Sequence, residues 1–164
     1  MVVFRCTRKL LDRLNRPIEA ASARSTGMLG DWYATLLVTR PQWLLLFVSE
    51  PTRLPIIMTA RPMVTMAPRF GLALTRVLRG LEVDAATIAR ELATMADVRI
   101  GTTQSRSVLG TINDFSYHAL WILHDQPTLT LHQLSLELAD TPVRPLRDYP
   151  ARAARRLLSE KPIG

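Results

Sequence analysis

The stretch SRSVLGTINDFSY, residues 105–117, carries Arg106, Gly110, Asn113 and Tyr117 at successive spacings of four, three and four. On a helix those spacings fall on one face. A guanidinium, an amide and a phenol on one stripe are donors suited to gripping an anion or a nucleotide-like ligand. Arg5, Thr7 and Lys9 are placed to contribute from the end of a first strand. A glycine inside a helix costs about 1 kcal/mol against alanine, which is accounted for if something approaches closely at Gly110. A plainer reading stands beside this one. Arg106 then sits near an N-cap, Asn113 bonds a neighbouring loop, and Gly110 admits another helix.

Other constellations carry weaker chemistry. Asp114 and His118, four apart, have the spacing of a carboxylate-oriented imidazole for general-base work, or of a surface pair. His124 and His132 add no conventional ligand spacing, and neither a metal nor a cofactor is expected. Cys6 is flanked by Arg5, Arg8 and Lys9, which would lower its pKa. Alternation nevertheless groups it with Val2 and Phe4 on an inward face, where cysteine is a small hydrophobe. Trp32 and Tyr33 offer a base-stacking surface or a piece of core. In ARAARRLL, Arg152, Arg155 and Arg156 oppose Ala154, Leu157 and Leu158, a cationic stripe for a phosphate backbone or an acidic partner. Arg69, Arg76 and Arg79 form a looser version. No phosphate-loop glycine pattern, paired CxxC, HExxH or GxSxG is present, so the corresponding enzyme classes lose ground.

The elements that must hold these residues follow from patterning. VVFRCT alternates as a half-buried strand, and a short helix follows at RKLLDRL. Residues 15–27 are small and polar, a connection. LGDWYATLLV is expected to be helical, with Asp31 complementing its dipole and Leu29, Trp32 and Leu36 on one side. QWLLLFVSE lacks alternation, as a strand covered on both faces does, and is taken as central. LPIIMT lies close enough behind it for an antiparallel hairpin, with Pro55 at a strand start or on an edge. Leu74, Val77, Leu78 and Leu81 form one helical stripe, and Ala85, Ile88, Leu92 and Met95 another behind an Asp84 N-cap. DVRIGTT is a fourth strand. Ser105 caps the next helix, whose apolar face is Val108, Ile112, Phe115, Ala119 and Ile122. Thr130 with Gln133 has capping-box form.

Across 164 residues the net charge is +7, and it is unevenly distributed. Residues 1–24 and 141–164 each carry six Arg/Lys against two acids, whereas 25–140 carries nine arginines against ten acids. A neutral body with basic ends points to polyanionic partners. The N-terminal stretch meets charge at Arg5, too early for an apolar export signal. WLLLFV is far shorter than the roughly 18–20 residues of a membrane helix, and the single cysteine allows no internal disulfide. A cytoplasmic protein without membrane insertion is expected.

The blocks FRCTRKLLDRL, LGDWYATLLV, LLLFVSEPTRLPIIM and TTQSRSVLGTINDF, in that order, resemble an uncharacterised bacterial family, a domain of unknown function found in small stand-alone and some plasmid-borne proteins. The resemblance spans about residues 1–125 and implies a bacterial cytoplasmic protein with no assigned reaction. Positions matching its pattern are Arg5, Cys6, Thr7, Lys9, Trp32, Arg106 and Asn113. The sequence thus leads to an α+β domain over 1–125, with a small mixed or antiparallel sheet of about four strands covered by helices. A C-terminal helical extension occupies 126–164. The expected function is a non-enzymatic binding or interaction module for nucleic acid or an acidic protein partner. The alternative is a small hydrolase or nuclease-like enzyme built on Arg106, Asn113, Asp114 and His118.

Overall fold

The computed structural model describes residues 1–160; residues 161–164, the end of the expected C-terminal extension, lie outside the described residues. The strands are β1 (Val2–Cys6), β2 (Trp32–Leu37), β3 (Leu44–Ser49), β4 (Pro55–Thr59) and β5 (Val98–Thr102). The helices are α1 (Arg8–Leu11), α2 (Met66–Gly80), α3 (Ala85–Ala93), α4 (Arg106–Asp125), α5 (Leu131–Ala139) and α6 (Pro150–Ser159). They form one mixed sheet in the order β4-β3-β2-β1-β5 with helices on both faces. β1 runs parallel to both neighbours, and β2-β3-β4 is an antiparallel meander.

Two expectations are corrected here. LGDWYATLLV is not a helix: its second part is β2, the middle strand, and β3 stands one place off centre. The leucine and tryptophan spacing that mimics a helical stripe arises because β2 is buried on both sides. Trp32, Ala34 and Leu36 enter one core, while Tyr33 and Leu37 enter the other. A strand covered on both faces shows no polar alternation, so periodicity cannot separate it from a helix. Asp31 therefore serves no helix dipole. Gly30, at φ +67°, makes the tight turn into β2, and a Cβ there would stand 2.9 Å from the Pro51 ring.

The remaining elements form as their residues dictate. Asp84, Ser105 and Thr130 each accept a hydrogen bond from the backbone N–H three residues on, and Gln133 completes the capping box with Thr130. Pro55 opens the edge strand β4, where a ladder donor is not needed. The outward N–H of Ile57 on that edge donates to Ser135 Oγ of α5 at 2.9 Å, so a side chain closes an edge that would otherwise pair with another chain. Phe70 of α2 centres one core, with ring centroids 5.0 Å from Phe4, 5.0 Å from Trp32 and 4.6 Å from Phe47. On the opposite face α4 presents Val108, Ile112, Phe115, Ala119 and Ile122, and α5 presents Leu134 and Leu138. α6 returns Ala151, Ala154 and Leu158 to the first core.

Arg5 and Asp31 lie within this apolar body, 1% and 2% exposed, with Nε and Oδ2 2.6 Å apart. The second Asp31 oxygen accepts from the Ser25 N–H at 2.8 Å, and Arg5 also donates to the carbonyls of Ala23 and Thr102. Arg5 faces Gly101 across the β1-β5 register, and a Cβ at Gly101 would come within 3.1 Å of its Nη1. Removing one member of a buried, hydrogen-bonded pair strands the other charge. Asp31→Ala is therefore expected to lower unfolding free energy by about 3–5 kcal/mol, read by urea denaturation. A loss below about 1 kcal/mol would place this pair among exposed ones.

Candidate functional site

The carboxyl ends of β1, β2 and β4 and the start of β3 meet at one end of the sheet, where the chain leaves its core. There the side of α4 and the strand ends enclose a cleft of about 410 Å³. Thr7, just past β1, and Lys9 of α1 form one wall; Asn113, Ser116 and Tyr117 of α4 form the other. Leu37, Leu109 and Ile112 make its apolar floor. Thr7 Oγ1 and Thr35 Oγ1 share a hydrogen bond of 2.9 Å, which orients both hydroxyls. Among the described residues no carboxylate lines the cleft.

Val38 and Leu120 are the wall between this cleft and a wider trough of about 670 Å³ running past Arg40, Pro41 and His124. Beyond Pro41 and Gln42 stands Trp43. The guanidinium carbon of Arg13 lies 4.8 Å from its ring centroid and that of Arg61 lies 5.6 Å away, both cation–π distances. Lys9, Arg13, Arg40 and Arg61 form no ion pair among the described residues. They make a basic ledge along the end of the sheet.

Four of the six residues expected around the α4 stripe meet in the cleft: Thr7, Lys9, Asn113 and Tyr117. Arg5 does not join them, because its guanidinium is held inside by Asp31 and two carbonyls. Arg106 is exposed at the start of α4, outside the cleft. Asp114 is exposed and His118 half-buried; among the described residues no hydrogen bond joins them, and neither lines the cleft. The tail arginines are engaged within the chain. Arg156 lies 2.6 Å and Arg152 3.7 Å from Asp148, whose carboxyl is held below the ordinary carboxylate range first by the Tyr149 N–H and then by these two arginines. Arg155 Nε donates to the Leu81 carbonyl behind α2. Trp32 is core. Among the described residues no three His, Cys, Asp or Glu side chains group as a metal site.

Sequence reading missed Arg13, Arg40, Trp43 and Arg61. One signal was available. The Arg-Pro pairs at 40–41 and 61–62, a short echo in the sequence, both stand where a strand leaves the same end of the sheet.

A family model described as a domain of unknown function (DUF6933) matches residues 3–152, and the chain belongs to that family. No curated protein and no solved structure matches it. No helix among the described residues is long and apolar enough to cross a membrane.

Cys6 sits on the inward face of β1, and burial pushes its thiol from the ordinary 9.0 up to about 12. It is inert as a nucleophile at neutral pH. A raised pKa favours the neutral thiol in the fold, so Cys6 adds stability that is complete below pH 9.0 and is lost as pH rises toward about 12. The native protein is expected to resist a thiol-reactive disulfide at pH 8 and to react once unfolded. Between pH 9 and 12 its stability should fall more steeply than that of Cys6→Val. Rapid native labelling would overturn this assignment.

Proposed function

We propose that this family member is a non-enzymatic binding module that takes the phosphate backbone of a nucleic acid on the basic ledge at the end of its sheet. The observation that carries the reading is the gathering of Arg13 and Arg61 on Trp43 beside Arg40 and Lys9, with no carboxylate among the described residues paired to any of them. Like charges brought together without counter-charge repel one another. Phosphates arriving from outside relieve that repulsion and release their own counterions. The indole holds two guanidiniums in place without neutralising them, so both keep their full attraction for an anion. Thr7 and Asn113 supply hydroxyl and amide groups next to Lys9, suited to phosphate or sugar oxygens.

In this reading residues 1–125 carry the binding surface and the helices of 126–164 brace it, α5 along the β4 edge and α6 against the core beneath α2. Arg152 and Arg156 contribute least, since Asp148 already answers their charge. A bacterial cytoplasmic setting suits a lone buried thiol and a polyanionic ligand alike. The hydrolase-like alternative has less support, because only Asn113 of its four proposed residues lines the cleft.

Fluorescence anisotropy with labelled single- and double-stranded oligonucleotides tests the proposal. With the four ledge cations engaged, log K is expected to fall against log salt with a slope near −2.8 on single strands, about −0.7 for each phosphate neutralised. Arg61→Ala or Lys9→Ala should weaken binding and make the slope shallower by about 0.7. Absence of binding at low salt would end the nucleic-acid reading. Equal uptake of polyglutamate would transfer the ledge to acidic proteins.

A further inference from the structure

The ridge between the cleft and the trough is apolar yet lies in water: Val38 is 65% exposed and Leu120 40%, and the neighbouring Tyr117 ring is 79% exposed. Leu44 and Leu123 carry this surface on into the trough. The cations of the ledge bracket it, with Lys9 in the wall of the cleft and Arg40 in the wall of the trough. Among the described residues no carboxylate lines either hollow. α4 does carry two acids, Asp114 and Asp125. At 100° per residue both fall about 60–80° to one side of Tyr117, while Asn113, Leu120, Leu123 and His124 fall to the other. The helix thus turns its acids away from the hollows and its apolar, amide and imidazole groups toward them.

Building on the nucleic-acid reading above, on which this inference rests, we propose that the ligand is a single strand whose unpaired bases are taken by this surface. One base stacks on Tyr117 in the cleft, and the next passes over the Val38 and Leu120 ridge into the trough beside His124. A phosphate backbone alone accounts for Lys9 and Arg40 but gives an apolar ridge nothing to bury. In a duplex the base faces are closed against one another, and what meets the ridge is phosphate and sugar, which leave it wet. Unpaired bases offer their π-faces, and a cationic groove set with an aromatic platform is how single strands are held without sequence preference. Trp43 is not that platform, because its ring already carries the guanidiniums of Arg13 and Arg61. Tyr117 is the open ring beside the cations. Within the trough, Gln42 and His124 supply hydrogen-bonding groups for a base edge. Apolar surface between two cations therefore selects the strandedness that charge by itself leaves open.

The test compares, at one salt concentration, the binding of a short oligothymidylate, an abasic strand of the same length and a duplex. Oligothymidylate is expected to bind about tenfold or more tighter than the abasic strand, which has the same phosphates and no bases to stack. It should also outbind the duplex despite the duplex's greater charge density. Tyr117→Ala and Leu120→Gln, both at exposed helix positions, should bring oligothymidylate down toward the abasic level while the salt slope stays the same, since no phosphate contact is removed. Trp121→Ala, one turn on but lining neither hollow, should cost far less. Lys9→Ala should weaken the oligothymidylate and the abasic strand alike. Oligouridylate run in parallel tells RNA from DNA: a preference over its own abasic strand supports the proposal with either sugar, and the tighter one names the source. Equal affinity for oligothymidylate and the abasic strand, a duplex bound as tightly, or a Trp121→Ala loss as large as that of Tyr117→Ala would overturn this inference and leave the ledge a binder of backbone alone. Failure of every strand to bind at low salt would end the nucleic-acid reading and this inference with it.

Discussion

The Arg5–Asp31 pair is the constraint on which the sheet depends. A guanidinium and a carboxylate out of water are tolerated only when each lone pair and each N–H finds a partner. Those partners come from four separate stretches: β1, the turn before β2, the 23–25 segment and the end of β5. The pair is therefore satisfied only when β1 lies between β2 and β5 and the 19–31 connection wraps over it. Gly101 belongs to the same requirement, being the place on β5 where the guanidinium passes. Once β1 is held there, its carboxyl end delivers Thr7 and Lys9 to the edge of the fold opposite α4.

Two-sided burial explains which elements are legible in the sequence. Caps at Asp84, Ser105 and Thr130 are local chemistry between residues three apart, and they form wherever the chain goes. The apolar stripes of α2 and α4 each face one layer and keep the period of a helix. β3 reads as a doubly covered strand because its apolar run has no competing interpretation. β2 does not, since Trp32 and Leu36 fit a helical face as well as a strand face, and only the partner strands decide. Asp31 was obscured for the same reason: its meaning lies with Arg5, twenty-six positions away.

The cleft was half visible. The α4 spacing brought Asn113 and Tyr117 onto one side of a helix, and the end of β1 supplied Thr7 and Lys9. The ledge was not visible, because charge counted along the chain is not charge arranged in space. Residues 25–140 sum to slightly negative, yet their acids lie elsewhere: Glu91 accepts from the Met28 N–H, Asp84 caps α3 and Asp97 holds Arg99. Arg40 and Arg61 are left without them. At the C-terminus the reverse holds, with a conspicuous arginine stripe partly answered by Asp148.

The arginines of this chain divide by what satisfies them. Arg5 and Arg69 spend their N–H groups on internal acceptors; Arg69 reaches the carbonyls of Thr59, Ala60 and Pro62 and ties the end of β4 to α2. Burial lowers the Arg69 pKa, as it must for a cation withdrawn from water. Such residues stabilise the fold and have little left to give a ligand. Arg13 and Arg61 are held through an indole face, which fixes a cation's position yet leaves its donors free. Arg106 stands exposed at the start of α4. The same side-chain chemistry thus braces the sheet where acceptors surround it and keeps its donors exposed to solvent where a π-face is its contact.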